Sequence, residues 1–303
     1  MTKVKSYLSL IRFSHTIFAM PFALIGFALG VMKYRWQPMN LNGVDQMPVR
    51  ALVLKFLLVL LCMVFARSAA MAFNRYLDRH FDAKNPRTAI REIPSGIISA
   101  NSALRFTIVS CILFVACTFF INRVCFFLSP VALAVILGYS FTKRFTPLCH
   151  IVLGIGLSLA PIGAYLAVTG TFAALPVLFS CAVICWVSGF DIIYALQDEE
   201  FDKSQQLYSM PSWLGKSKAL HVSEFLHLLS TVCVVAAGFA GGFGWWYWAG
   251  VAVFLGMLIY QHTIVKPNDL SRVNIAFMTA NGIASVVFAV FVIADLLLHG
   301  RAV

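Results

Sequence analysis

Acidic residues are what this chain has least of. Asp and Glu number 12 in 303 residues, and charged residues make up only 12 %, against about 25 % in soluble globular domains. With 60 % hydrophobic residues, that shortage excludes an ordinary water-soluble fold. No linker, low-complexity tract or soluble domain interrupts the chain, so the expectation is one integral-membrane domain over residues 1–303. Cys-x-x-Cys spacing is absent. The eight cysteines lie in or beside apolar stretches and read as small packing residues; Cys181 and Cys185 share a helix face but have no metal-binding partners. Basic residues are scattered between apolar spans, so the net charge of +11 points to no nucleic-acid partner.

What is present is a series of apolar runs. A hydrocarbon core about 30 Å thick needs roughly 20 apolar residues per spanning helix. The runs 15–34, 51–73, 102–121, 125–141, 150–169, 172–195, 223–241, 244–261 and 273–298 meet that need, with 102–121 and 125–141 turning tightly around Asn122-Arg123. The fold class predicted is therefore an all-α membrane protein with about nine spans. Lys3, Lys5 and Arg12 precede the first run as they would a signal peptide. Pro21 lies inside that run and no small-residue cleavage site follows, so it is read as a retained helix. Pro21, Pro130, Pro161 and Pro176 are expected to mark kinks. Gly26 with Gly30, and Gly154 with Gly156, permit close helix approach.

Lys and Arg set the orientation. With the N-terminus inside, all of the 23 Lys and Arg except Lys33, Arg35, Arg50, Lys55, Arg123 and Arg301 fall on the inner side. Trp245, Trp246 and Trp248 then form an outer aromatic belt. The active face is expected on the cytoplasmic side of a bacterial-type inner membrane. His221, His227, His262 and His299 read as interfacial or loop residues.

Against this background two acidic clusters stand out. One is Asn74-Arg75-Tyr76-Leu77-Asp78-Arg79-His80-Phe81-Asp82; the other runs from Asp191 through Tyr194 and Asp198 to Asp202, with Glu199 and Glu200 off its stripe. Both end an apolar span on the inner side and precede a long polar loop. That pattern suggests a weak parallel repeat, about 1–145 and 146–303, with the binding site between the halves. Asn74, Asp78 and Asp82 at i, i+4, i+8 form one helical stripe, and Asp191, Tyr194, Asp198 and Asp202 at i, i+3, i+7, i+11 form another. Carboxylates in register repel one another unless they share a cation. Hard oxygen ligands suit Mg²⁺, which shares its shell with waters and substrate phosphates. Two facing stripes could hold two Mg²⁺ ions with a diphosphate between them; the alternative is an ordinary solvated helix end. Arg67, Arg75, Arg79, Lys143 and Arg144 lie near enough to neutralise a diphosphate, although Lys143 and Arg144 also fit a positive-inside anchor.

The first stripe, with Asn85-Pro86-Arg87-Thr88-Ala89-x-Arg91-x-Ile93-Pro94-Ser95-Gly96, resembles the first motif of the UbiA-type intramembrane aromatic prenyltransferases. Asp191-x2-Tyr194-x3-Asp198-x3-Asp202 is similar to their second motif, and Tyr139 with Lys143-Arg144 to a patch between them. The likeness runs from Arg12 to Asn274 and Asn281. It implies a nine-helix bundle around a central cavity, capped by the two inner loops. By that resemblance Asn74, Asp78 and Asp82 hold one Mg²⁺ and Asp191, Asp198 and Asp202 the other. Arg79, Lys143 and Arg144 grip the diphosphate of a polyprenyl donor, whose tail lies along apolar walls open to the lipid bilayer. Asp78 and Asp198 are the expected catalytic carboxylates. Tyr139 and Tyr194 either face the allylic cation or pack, and Arg12 either orients an acidic acceptor or anchors the inner leaflet.

The loop around Arg87 and Arg91 is closest to members that use a 4-hydroxybenzoate-type acid in ubiquinone biosynthesis. Prenylation of 1,4-dihydroxy-6-naphthoate in menaquinone biosynthesis is the alternative. A cation-coupled transporter is the competing class, although its acids would sit near the midplane. A structural role for acidic helix ends, as lipid or partner contacts, is the third possibility.

Overall fold

In hydrocarbon a single segment satisfies its own backbone N–H and C=O groups only by coiling, and these apolar runs do so. The computed structural model describes residues 3–11, 19–35 and 47–299, and apart from one isolated bridge between Lys266 and Asp269 the regular structure among them is helical. The long helices are α3 (Val49–Leu77), α5 (Ala100–Ile121), α6 (Arg123–Thr142), α7 (Cys149–Thr169), α8 (Ala174–Ala195), α11 (Lys216–Ala240), α12 (Trp245–Ile264) and α13 (Asn281–His299), the last preceded by a π-helical turn, Ile275–Ala280. These make eight spans long and apolar enough to cross a membrane, and α2 (Met20–Arg35) is a shorter apolar helix. The short elements are α1 (Lys3–Leu10), α4 (Arg79–Lys84), a 3₁₀ turn (Leu196–Asp198), α9 (Glu199–Ser204) and α10 (Met210–Leu214). Arg12 lies outside the described residues.

Two of the four prolines behave differently from expectation. Pro130 and Pro161 lie inside α6 and α7. Pro21 and Pro176 fall in the first turns of α2 and α8, where the missing N–H has no helical acceptor to lose, so they start helices instead of kinking them. The α5–α6 hairpin turns on Asn122. Its Oδ1 accepts the Cys125 N–H (2.8 Å) to cap α6, and its Nδ2 donates to the Leu166 and Ala167 carbonyls of α7 (2.8 and 3.2 Å).

The largest buried cluster among the described residues joins α2, α7, α8, α11, α12 and α13 around Phe22, Phe179, Trp186, Phe254 and Phe288, all fully buried. A buried acid outside both clusters is explained here: Asp295 of α13 accepts the Gly244 N–H at 2.8 Å, at the N-terminus of α12, where a carboxylate is favoured. His227, expected at an interface or loop, is instead buried in α11 and hydrogen-bonded to His262 at 2.9 Å. The ring fits because position 189 on α8 has no side chain: a Cβ there would lie 2.4 Å from it.

Gly26 is the closest helix crossing. A Cβ on it would come within 2.0 Å of the Pro161 carbonyl oxygen, a backbone atom that cannot swing aside. Gly26→Ala is therefore expected to destabilise the α2–α7 pair by about 1–3 kcal/mol, read as a lowered midpoint of thermal unfolding in detergent. An unchanged midpoint would show that α2 can shift freely.

Candidate active site

Both acidic clusters were expected as continuous helical stripes, and both are broken. Helix α3 stops at Leu77, Asp78 takes φ −88°, ψ 4°, and α4 starts at Arg79. Helix α8 stops at Ala195, the 3₁₀ turn follows, and Asp198 takes φ −104°, ψ 4° before α9. The two aspartates thus occupy the same sparsely used bridge region of backbone space. The break changes the direction of the chain after each one. Asp82 and Asp202 follow it, and each is buried (6 % and 0 % exposed) on the wall of one cavity.

That cavity has a volume of about 290 Å³ and is lined by Asn74, Asp78 and Asp82 of the first cluster and by Asp191, Asp198 and Asp202 of the second. Both rows also interlock with basic groups. Arg144 Nη2 lies 2.8 Å from Asp78, whose other oxygen accepts from Asn74 at 2.9 Å. Arg91 lies 2.7 Å from Asp82, and Arg75 3.9 Å from it. Lys143 is 2.8 Å from Asp202, which also accepts from the Ser209 hydroxyl at 2.8 Å. Arg87 pairs with Asp198 through Nε and Nη2, and its Nη1 donates to the Tyr194 hydroxyl at 3.0 Å. Asn85 donates to the same carboxylate, and Lys84 reaches Gln205. The loop after the first cluster is therefore laced to the second, as a cap.

Burial shapes the ionisation at the break. It pushes the Asp78 carboxyl above its ordinary range, against the opposing pull of Arg144. Burial works against the charged forms of Lys143 and Arg87 as well, but Asp202 and Asp198 outweigh it and hold both bases above their usual values.

Several predicted residues take other positions. Arg79 does not line the cavity; it donates to the Tyr76 carbonyl at 2.7 Å and covers that ring at 4.6 Å. Its side chain leaves the stripe because the chain turns at Asp78. Arg144 reaches Asp78 without lining the cavity, since it also bonds the Ser140 and Leu77 carbonyls. The ring of Tyr194 packs on Phe277 at 4.3 Å. Tyr139 and Arg67 line both this cavity and an apolar groove of about 370 Å³ between α3, α5, α6 and α7, with Met63, Phe114, Ile136 and Leu157 among its walls. Val131, on the groove, is 60 % exposed.

The structure adds residues that spacing alone did not single out. Arg87, Arg91 and Asn85 belong to the loop that carried the resemblance, but no periodicity aims a loop residue at a helix. His150 was missed entirely. Its Nδ1 lies 2.6 Å from Asp191 and its Nε2 3.3 Å from the Met210 N–H, which ties α8, α7 and α10 together. The available signal was a histidine next to Cys149 at the start of an apolar span.

The donor set fits Mg²⁺. It is all oxygen from carboxylates and an amide, and Asp82 Oδ2 is buried without a hydrogen bond. Among the described residues no three acidic, His or Cys side chains close around a single point. Mg²⁺ prefers hard oxygen donors and shares its shell with waters and substrate phosphates.

Comparison with known proteins identifies the family. The UbiA prenyltransferase family model matches residues 44–283. A 4-hydroxybenzoate octaprenyltransferase from Burkholderia mallei is 30 % identical over 263 residues, 86 % of this chain and 90 % of the relative. One from Nitrosomonas europaea is 30 % identical over 245 residues, 81 % and 82 % respectively. The apo structure of a UbiA homologue from Aeropyrum pernix K1 superposes with a TM-score of 0.75 at 28 % identity, covering 94 % of this chain and 98 % of that one. A UbiA homologue from Archaeoglobus fulgidus, bound to GPP and Mg²⁺, shares the fold with a TM-score of 0.68 at 21 % identity, covering 97 % and 100 %. The chain belongs to the UbiA prenyltransferase family.

Proposed function

We propose that this protein transfers a polyprenyl group from a polyprenyl diphosphate to an aromatic acid of the 4-hydroxybenzoate type, in quinone biosynthesis, at the cytoplasmic face of a bacterial-type inner membrane. The observation that carries this is the pair of aspartate rows facing one cavity that runs into an apolar groove. Relatives named 4-hydroxybenzoate octaprenyltransferase support the acceptor.

Asn74, Asp78 and Asp82 would hold one Mg²⁺, and Asp191, Asp198 and Asp202 a second. When bound, the ions supply Lewis acidity that offsets diphosphate charge as the allylic C–O bond ionises. Lys143, Arg75, Arg87 and Arg91 line the same cavity and add fixed positive charge around the leaving group. Arg144 and His150 act one step back, orienting Asp78 and Asp191. The prenyl tail lies in the groove, and its reactive carbon falls at the junction lined by Tyr139 and Arg67.

Arg67 differs from the cavity's other bases. Arg75, Arg87, Arg91 and Lys143 each face an aspartate, whereas Arg67 makes no ion pair among the described residues. A guanidinium in that state, beside the reacting carbon, suits the carboxylate of the acceptor. The acid then lies with its ring toward the allylic carbon. A ring carbon forms the new C–C bond, diphosphate leaves with the C–O electron pair, and loss of the ring proton restores aromaticity.

The test is full-length protein in lipid vesicles, given a polyprenyl diphosphate with 4-hydroxybenzoate or 1,4-dihydroxy-6-naphthoate, with and without Mg²⁺. Prenylated 4-hydroxybenzoate and stoichiometric diphosphate are expected, both abolished by EDTA and restored by Mg²⁺. Prenylation of the naphthoate alone would move the acceptor to the menaquinone route. Diphosphate release from neither mixture would overturn the enzymatic assignment.

A further inference from the structure

The charged rows do not enclose the whole cavity. One stretch of wall is aromatic, formed by Phe190, Tyr194 and Phe277. Phe277 is delivered by the π-helical turn Ile275–Ala280. Such a turn gives up regular α-helical bonding and recurs at functional sites. At membrane depth, carbonyls loosened in this way need another donor, and Asn281 provides it. Its Nδ2 donates to the Ala276 and Phe277 carbonyls at 3.2 and 3.0 Å. Its Oδ1 accepts from Trp186 of α8 at 2.9 Å and from Gln261 of α12 at 2.8 Å. Asn281, Trp186 and Gln261 are all fully buried. Both ends of one amide are thus in use, so the turn is fastened to two neighbouring spans.

The fastening ends on the cavity wall. The Phe277 ring lies 4.3 Å from that of Tyr194 and meets Phe190 edge-on at 5.5 Å. The Tyr194 hydroxyl in turn accepts from Arg87, which holds Asp198. No such arrangement is needed merely to span a bilayer, since an unbroken α13 would bury its own carbonyls.

We infer that the Asn281-clamped turn is a positioning device that seats Phe277 against Tyr194 and so keeps water from the reacting allylic carbon. The inference rests on the prenyl transfer proposed above. Once the C–O bond has broken and diphosphate has left with its electron pair, the allylic cation has two possible captors. Attack by the aromatic ring gives prenylated acid after loss of a ring proton. Attack by water gives the free prenyl alcohol after loss of a water proton. Phe277 fills part of the cavity wall with a ring where water would otherwise stand, and Asn281 acts through Phe277 without touching substrate. Asn281 and Phe277 are therefore positioning residues.

The decisive measurement is the ratio of prenyl alcohol to prenylated acid, with diphosphate release as the total, in vesicles holding full-length protein. Phe277→Ala is expected to raise that ratio about tenfold, and Phe277→Tyr, which restores the ring, to return it to the wild-type value. Asn281→Asp keeps the acceptor for Trp186 and Gln261, loses the donors to the two carbonyls, and should raise the ratio in the same direction. A role in folding alone would lower both products together and leave the ratio still. An unchanged ratio in Phe277→Ala overturns the inference, whether or not Asn281→Asp folds. If wild-type protein releases no diphosphate at all, the proposed function fails first, and that outcome differs from a wild type that transfers normally beside variants with an unaltered ratio.

Discussion

Asp78→Asn and Asp198→Asn are each expected to lower prenyl transfer by about 10²–10³-fold, the loss typical of deleting one preorganised group that stabilises developing charge. Asparagine keeps the shape and an acceptor oxygen but removes the charge that a hard cation needs. These are the residues at which each long helix breaks, φ −88° and −104° with ψ 4° at both. The substitution thus removes charge from the wall of the cavity that both rows line. Asp78 is a quarter exposed and its partner Arg144 similarly so, which makes their ion pair a minor contributor to stability. For Asp78→Asn, yield, monodispersity and thermal midpoint in detergent should therefore remain near wild type while diphosphate release falls. Wild-type turnover in both variants would remove these carboxylates from the chemistry.

Arg67→Gln is expected to raise KM for the aromatic acid by about 10–100-fold, the range that follows from losing a charge-assisted hydrogen bond of about 1.5–3 kcal/mol, with KM for the polyprenyl diphosphate unchanged. This split separates two roles that sequence alone leaves merged. Nearness to the first cluster groups Arg67 with the diphosphate-binding bases. Its position at the mouth of the apolar groove, with no ion pair among the described residues, favours the acceptor instead. If the donor KM rises and the acceptor KM does not, the earlier grouping is right. Steady-state titration of each substrate at saturating levels of the other decides.

Much of the fold was legible because hydrocarbon leaves few choices. A run such as 102–121 must coil, and Asn122 between two such runs must turn; the helices Ala100–Ile121 and Arg123–Thr142 differ from expectation by one or two residues at their ends. The kink expectation failed at Pro21 and Pro176 because a kink depends on where the helix begins, and only the structure put these two in first turns. His227 escaped because a lone histidine says nothing about a missing side chain at position 189 on another helix.

The candidate site divides along the same line. Helical spacing identified Asn74, Asp78, Asp82, Asp191, Asp198 and Asp202, since acids at the ends of apolar spans are too costly to be casual. Spacing is a property of one helix, however, and assumes that the helix continues. The breaks at Asp78 and Asp198 send Arg79 away from the cavity and bring Asp82 and Asp202 into it.

Composition and period by themselves determined that this is a bundle of membrane helices with two aspartate rows at one end, because the cost of bare backbone and bare charge in lipid acts locally, residue by residue. Tertiary structure decided which bases meet which acids, that Arg67 meets none among the described residues, and that Asn281 holds a turn whose phenylalanine reaches the cavity. Many of those contacts, such as Arg87 with Asp198 and Arg144 with Asp78, join residues far apart in the chain, and their geometry is set by how whole helices pack, which no local pattern encodes.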